Sequence, residues 1–269
     1  MYKPITFVTA LYDIDRENLG DGRTFDQYLS WFKDTLKIES PMVIYVDQSL
    51  ETFVKECRGD LPTKIISQSL EKIPYYYLKD DVDAILKSET FKSKIGAPFR
   101  FECKSSLYNI VIFSKFKWVK EVVKNNYFNS EYFMWIDAGL SRFFYDIDMD
   151  YPSNEAINSL LECKDKVVIQ KFMSYYPDLV YSEKCTEEYF WDARTWIMAG
   201  LWGGGSNILS HFCDMVDDVL INQMIKNEVI NNEQNVMAYL YKNNPDMFIA
   251  FENYANMHRD YEFIQELSK

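Results

Sequence analysis

Short apolar runs that alternate with segments of helical period constrain this chain most. "ITFVTALY" (5–12) is rich in β-branched residues and reads as a buried strand, giving way to the polar segment "DIDRENLGDGR". "FDQYLSWFKDTLKI" (25–38) places Phe25, Tyr28, Leu29, Phe32 and Leu36 at helical spacing. "PMVIYVD" (41–47) is a second short strand, "LETFVKECRG" a helix closed by Gly59, and "TKIISQS" a third strand. Strand, helix, strand, helix, strand is the pattern of a parallel α/β sheet.

The rest of the chain continues it. Residues 75–100 are charged and read as helical, and "SSLYNIVIFSKFKWVKEVVKNN" (105–126) reads as one long helix along Val111, Lys115, Val119 and Val122. "YFMWID" and "KVVIQKF" (166–172) are further buried strands. "TWIMAGLWGGGSNIL" (195–209) is a strand or loop opening into a helix, where Ser206 or Asn207 could be the cap. Two amphipathic helices, "HFCDMVDDVLINQMI" and "NEQNVMAYLYKN", precede a late strand "DMFIAF" and the tail "ENYANMHRDYEFI".

Bulk properties narrow the partners. With 269 residues the chain makes one large domain or two small ones. A net charge of −12 repels nucleic acid and anionic lipid on average, so no nucleic-acid partner is expected. A phosphate ligand then needs local basic residues, backbone N–H groups or a metal. The aromatic share of 17% suits either a core or a cleft for sugars or bases. The five cysteines, Cys57, Cys103, Cys163, Cys185 and Cys213, lack CxxC spacing, which argues against a disulfide framework or zinc ribbon and fits a reducing compartment. No signal peptide and no bilayer-spanning apolar run is visible, so the expected location is the cytoplasm.

In an open α/β sheet, ligands bind at the carboxyl ends of the strands. Three strands end at residues of interest: Ala10–Tyr12, Asp47 and Asp137. Asp137 closes the run "YFMWID" and is followed by Ala138 and Gly139, which leave room for a bulky ligand. By itself it is either a turn-former or a group held out to a ligand. The three glycines of "GLWGGGSNIL", flanked by Trp196 and Trp202, form a flexible loop or a ligand wall; no Lys-Ser/Thr follows, so this is not a P-loop. Glu233 and Gln234 sit where helix-capping chemistry is expected. Lys115 lies on a solvated helix face or reaches a phosphate. Of the two histidines, His211 opens a helix and His258 lies in the tail, on the surface or folded back as a ligand. No HExxH or GxSxG motif supports a zinc protease or a serine hydrolase.

These segments together resemble the HtrL/YibB (WlaTC-like) family. The likeness rests on "TFVTALYDIDR", "YNIVIFSKFKWVKEVVKNNYFNSEYFMWIDAGLSRF", and "AGLWGGGSNIL" followed by "NNEQNVMAYLY". It runs from about residue 5 to 258, with "WIDAG" and the upstream "SKF" most specific. The family's bacterial members accompany surface-polysaccharide and lipooligosaccharide loci and are regarded as glycosyltransferases. The motif order also resembles GT-A glycosyltransferases. The resemblance implies a single GT-A-like α/β domain over 1–269, a mixed, mostly parallel sheet flanked by helices, with a nucleotide-binding half (1–150) and an acceptor-side half (151–269). It implies sugar transfer from a nucleotide-sugar donor, UDP-linked, to a hydroxyl of a glycan or lipid-linked glycan, with peripheral association at the inner membrane. By position, Thr9, Ala10 and Tyr12 would line the nucleotide and Asp47 would bond the base or ribose. Lys115, Trp135, Ala138 and Gly139 would complete the donor site, and Trp202 with Gly203, Gly204 and Gly205 the donor–acceptor pocket. Glu233 would be the acidic catalytic candidate, and Asp137 with His258 would hold Mn²⁺ or Mg²⁺. The expected DxD pair is reduced here to Asp137 alone, so Lys115 or Arg142 is an alternative means of neutralising the diphosphate. A sugar nucleotidyltransferase is the rival enzyme, although "ALYDIDREN" lacks its Gly-rich basic loop; a non-catalytic binding protein of the same fold is the other.

Overall fold

Among the described residues seven strands form one sheet and, numbered in chain order, lie as β3-β2-β1-β4-β6-β5-β7. The structure, a computed structural model, describes residues 4–19, 22–143, 151–172 and 185–253. The strands are β1 (Ile5–Leu11), β2 (Met42–Val46), β3 (Thr63–Ser67), β4 (Tyr132–Ile136), β5 (Val167–Phe172), β6 (Ile197–Gly205) and β7 (Phe248–Asn253). Strand β1 pairs parallel with β2 and β4, and β2 with β3; β6 runs antiparallel to both β4 and β5, while β5 and β7 are parallel. This is the mixed, mostly parallel α/β architecture that the resemblance implies. Strands β2 and β4 are buried at every residue, as strands covered on both faces must be.

Alternation along the strands divides the core into two layers. Val8, Val43, Phe133, Trp135, Ile169 and Trp202 face one way, beneath α4 (Lys79–Lys87), α6 (Ser106–Asn125) and two later helices, α8 (Ser206–Asp218) and α9 (Glu233–Asn243). Phe7, Ile44, Met134, Val168 and Leu201 face the other way, beneath α2 (Phe25–Thr35), α3 (Glu51–Arg58) and α7 (Asn154–Glu162). Two short helices complete the order: α1 (Arg16–Leu19) and α5 (Glu89–Lys94). Among the described residues no helix is long and apolar enough to cross a membrane.

Local chemistry fixes the helices that matter for the site. Thr24 and Gln27 form a reciprocal capping box at the start of α2. Ser105 caps α6 by accepting from the Tyr108 N–H, and Asn126 ends it in the left-handed region at φ 41°. At α8 the expectation of a Ser206 or Asn207 cap is corrected: Gly205 occupies that position, without a side-chain cap, and Ser206 is already helical. His211 lies exposed within α8.

Strand β6 also corrects the reading of the three glycines. They are not a loop. Gly203, Gly204 and Gly205 pair with Met134, Phe133 and Tyr132 of β4. A Cβ on Gly203 would lie 2.5 Å from the Phe133 carbonyl oxygen, and one on Gly204 2.9 Å from that of Lys166. Three bare positions let β6 fit between its neighbours.

Candidate active site

Connections leave β1 and β4 in opposite directions along the sheet, and the crevice expected at such a switch point is present. A cavity of about 300 Å³ opens at the carboxyl ends of these strands. Ala10 and Tyr12 line it from β1 and the turn after it; Trp135, Asp137, Ala138 and Gly139 line it from β4 and the turn beyond. Gly200 on β6 and Asn232, Glu233 and Gln234 at the start of α9 close its floor.

At that floor one lysine holds two carboxylates. Lys115 lies on the buried face of α6, with its side chain 2% exposed, which overturns the reading of a solvated position. Its Nζ donates to Glu233 Oε1 at 2.6 Å and to the Ala199 carbonyl at 3.1 Å, and lies 3.5 Å from Asp137 Oδ1. It also sits 5.6 Å from the centre of the Trp135 ring. Burial alone would lower its pKa, but Asp137 and Glu233 outweigh burial and hold it above the usual lysine value. Burial pushes Glu233 above the ordinary carboxylate range, against the opposing pull of Lys115. Glu233 is therefore more than a capping residue: Asn232 performs the cap, accepting from the Gln234 N–H, and frees the Glu233 side chain for the floor.

Asp137 remains the accessible member, its side chain 45% exposed. Its backbone N–H donates to the Gly200 carbonyl at 2.8 Å, and its carbonyl accepts from Leu140 N–H at 2.9 Å, so it begins a turn as well as facing the cleft. Its Oδ1 accepts the indole N–H of Trp135 at 2.6 Å. Asp137 is thus a turn-former whose carboxylate also faces the cleft.

The cleft wall is aromatic, and its lining carries both signs of charge: Arg16, Arg23 and Arg142 beside Asp13, Asp15 and Glu17. Tyr12 stacks on Trp118 at 5.7 Å and 12°, and Trp118 on Trp135 at 6.2 Å and 11°. Arg16 lies over the rings of Phe101, Tyr108 and Tyr28, at 4.9, 5.3 and 5.7 Å. Arg142 donates to the Gly139 carbonyl and stacks over Trp31 and Phe143, while Arg23 adds a further guanidinium to the lining. These guanidinium groups give an anion local partners in a lining that Asp13, Asp15 and Glu17 keep from being cationic overall. Arg16 and Arg23 were not picked out from the sequence, where they sit in a polar segment; their place directly after β1 was the available signal.

Other candidates lie elsewhere. Thr9 is fully buried within β1 and is not in the cleft lining, and its hydroxyl has no partner among the described residues. Asp47 caps a turn, accepting from the Ser49 N–H and hydroxyl, which hold its carboxyl below the usual range; it lines a separate depression with Tyr45 and Lys72. Trp202 is fully buried against Phe116, and neither it nor Gly203–Gly205 reaches the cleft. His258 lies outside the described residues.

For Mn²⁺ or Mg²⁺ the donor set at hand is thin. Octahedral oxygen sites of these ions use one or two carboxylates besides phosphates and water. Asp137 offers one carboxylate, with Oδ1 already accepting from an indole and an ammonium close by. Among the described residues no group of three or more His, Cys, Asp or Glu side chains could hold a metal ion. Among the described residues this donor set does not by itself fit an octahedral Mn²⁺ or Mg²⁺.

Fold and cleft define an α/β protein with a cleft at the switch point of its sheet. The chain belongs to the HtrL_YibB family, described as a bacterial protein of unknown function, whose sequence profile matches residues 3–259. No curated protein matches the sequence. Two solved structures align over nearly their whole lengths. The 4-diphosphocytidyl-2C-methyl-D-erythritol synthase of Anaerococcus prevotii aligns with 98% of this chain and 96% of its own, at 11% identity and a TM-score of 0.43. Mouse xyloside xylosyltransferase 1, in its apo form, aligns with 100% of this chain and 93% of its own, at 8% identity and a TM-score of 0.43.

Proposed function

We propose that the protein is a glycosyltransferase that moves a sugar from a nucleoside diphosphate sugar, UDP-linked, to a hydroxyl of a bacterial surface glycan such as lipooligosaccharide or capsule. The observation that carries this reading is the joining of Asp137 and Glu233 through Lys115 in a cleft whose lining also carries three guanidinium groups. In the reaction the bond between the sugar's anomeric carbon and the diphosphate oxygen breaks. A bond from that carbon to the acceptor oxygen forms, and the hydroxyl proton passes to a carboxylate of the cleft. Charge develops on the departing diphosphate, and Arg16, Arg23 and Arg142 are placed to stabilise it. The cleft's aromatic wall provides the surface for the nucleoside. Work on a lipid-linked acceptor at the cytoplasmic face of the inner membrane belongs to the same proposal.

Incubation with a panel of nucleotide sugars, with Mn²⁺ and separately with EDTA, tests it. Slow release of the nucleoside diphosphate is expected, and the EDTA arm reports whether a divalent cation takes part. A thermal shift without release would mark a non-catalytic binding protein of the same fold. Neither release nor shift with any nucleotide would sink the enzyme reading. Asp137→Ala should weaken nucleotide-sugar affinity about tenfold or more, in line with the loss of a charged contact. A folded variant with unchanged affinity would mean the site is misplaced.

A further inference from the structure

Glu233 uses only half of its carboxylate. Oε1 accepts from Lys115 at 2.6 Å, whereas Oε2, itself buried, has no hydrogen-bond partner among the described residues. The side chain is 5% exposed and lines the cleft. Leaving a buried carboxylate oxygen without a donor is costly, and native sites tolerate such an atom where a ligand or ordered water completes it. The missing partner must be a donor. A phosphate oxygen or a carbonyl brings lone pairs and would be repelled. A sugar hydroxyl brings the proton that Oε2 lacks.

Lys115 determines which oxygen stays available. Its Nζ is fixed by the Ala199 carbonyl on β6 as well as by Glu233, and Ala199 is the residue before Gly200 on the cleft floor. An ammonium buried on α6 and committed to these groups cannot also reach out to a diphosphate. We infer that Glu233 Oε2 binds a hydroxyl of the sugar being transferred, and that Lys115 is the positioning residue that presents it. This rests on the nucleotide-sugar reading above.

Binding measurements by calorimetry separate this inference from the reading beneath it. The probes are UDP, GDP and dTDP, their common sugar conjugates, and the deoxyfluoro analogues of whichever conjugate binds best. In the wild-type protein one deoxyfluoro position should cost about tenfold or more in affinity, as expected for a hydrogen bond to a charged group. In Glu233→Gln that difference should largely disappear, while affinity for the free nucleoside diphosphate stays within about twofold. Lys115→Met combined with Glu233→Gln removes both buried charges together and should lose no more sugar selectivity than Glu233→Gln alone, because Lys115 acts through Glu233. Two results overturn the inference while sparing the glycosyltransferase reading: every deoxyfluoro conjugate binding the wild type equally well, or Glu233→Gln weakening free diphosphate as much as the conjugate. Binding of no nucleotide at all overturns both.

Discussion

Lys115 shows how far a residue can depart from its sequence context. It stands in "SKFKW" as one lysine of two, yet Lys115 is buried between two carboxylates while Lys117, 33% exposed, pairs with Asp217 at the surface. Helical phase separates them: Lys115 shares the inward stripe with Val119 and Val122. Removing one partner of a buried ion pair strands the other. Lys115→Met should therefore destabilise the protein by about 3–5 kcal/mol. The double variant Lys115→Met/Glu233→Gln should recover most of that loss. Urea unfolding of the two variants measures both effects, and equal stability of the single and double variants would show the pair to be energetically uncoupled.

At the scale of elements, the glycines of β6 and the cap of α2 predict losses of stability of different size. Gly203→Ala forces a Cβ against the Phe133 carbonyl and the side chains of Met134 and Tyr132. Backbone in the middle of a sheet cannot give way cheaply, so a loss of about 1–3 kcal/mol is expected. The loss should appear as a lower Tm at unaltered nucleotide affinity in the folded fraction. A selective loss of ligand binding at wild-type Tm would restore the ligand-wall reading. Thr24→Ala removes one half of the capping box on α2, the helix that brings Tyr28 to Arg16. It should cost about 1 kcal/mol, read by chemical denaturation, a smaller effect because water can replace the cap. Both features were visible as residues in the sequence. Only the helix cap could be interpreted locally, since Thr24 and Gln27 act within one turn. The glycines answer to β4 and to Lys166, which a periodicity argument cannot locate.

The whole molecule hangs on one sheet that draws strands from both halves of the chain. Strand β4, from the first half, pairs with β6 from the second along its entire length. Residues 1–150 alone would expose the edge of β4 where Gly205 to Leu201 now bind. The full chain should unfold in one cooperative transition, whereas a 1–150 fragment should be insoluble or unfolded by circular dichroism. A soluble, cooperatively folding fragment would instead establish two units. What the sequence determined by itself was everything written in local periodicity: six of the seven strands, the long helix over 105–126, the α/β class, and Asp137 at the end of a strand. The strand order, the antiparallel insertion of β6, and the meeting of Lys115, Asp137 and Glu233 were decided by tertiary structure alone. The reason is physical. Burial pattern and caps depend on neighbours a few residues away, whereas Lys115 and Glu233 are 118 positions apart. No local preference encodes a contact that exists only once α6, β4 and α9 are packed around the same cleft.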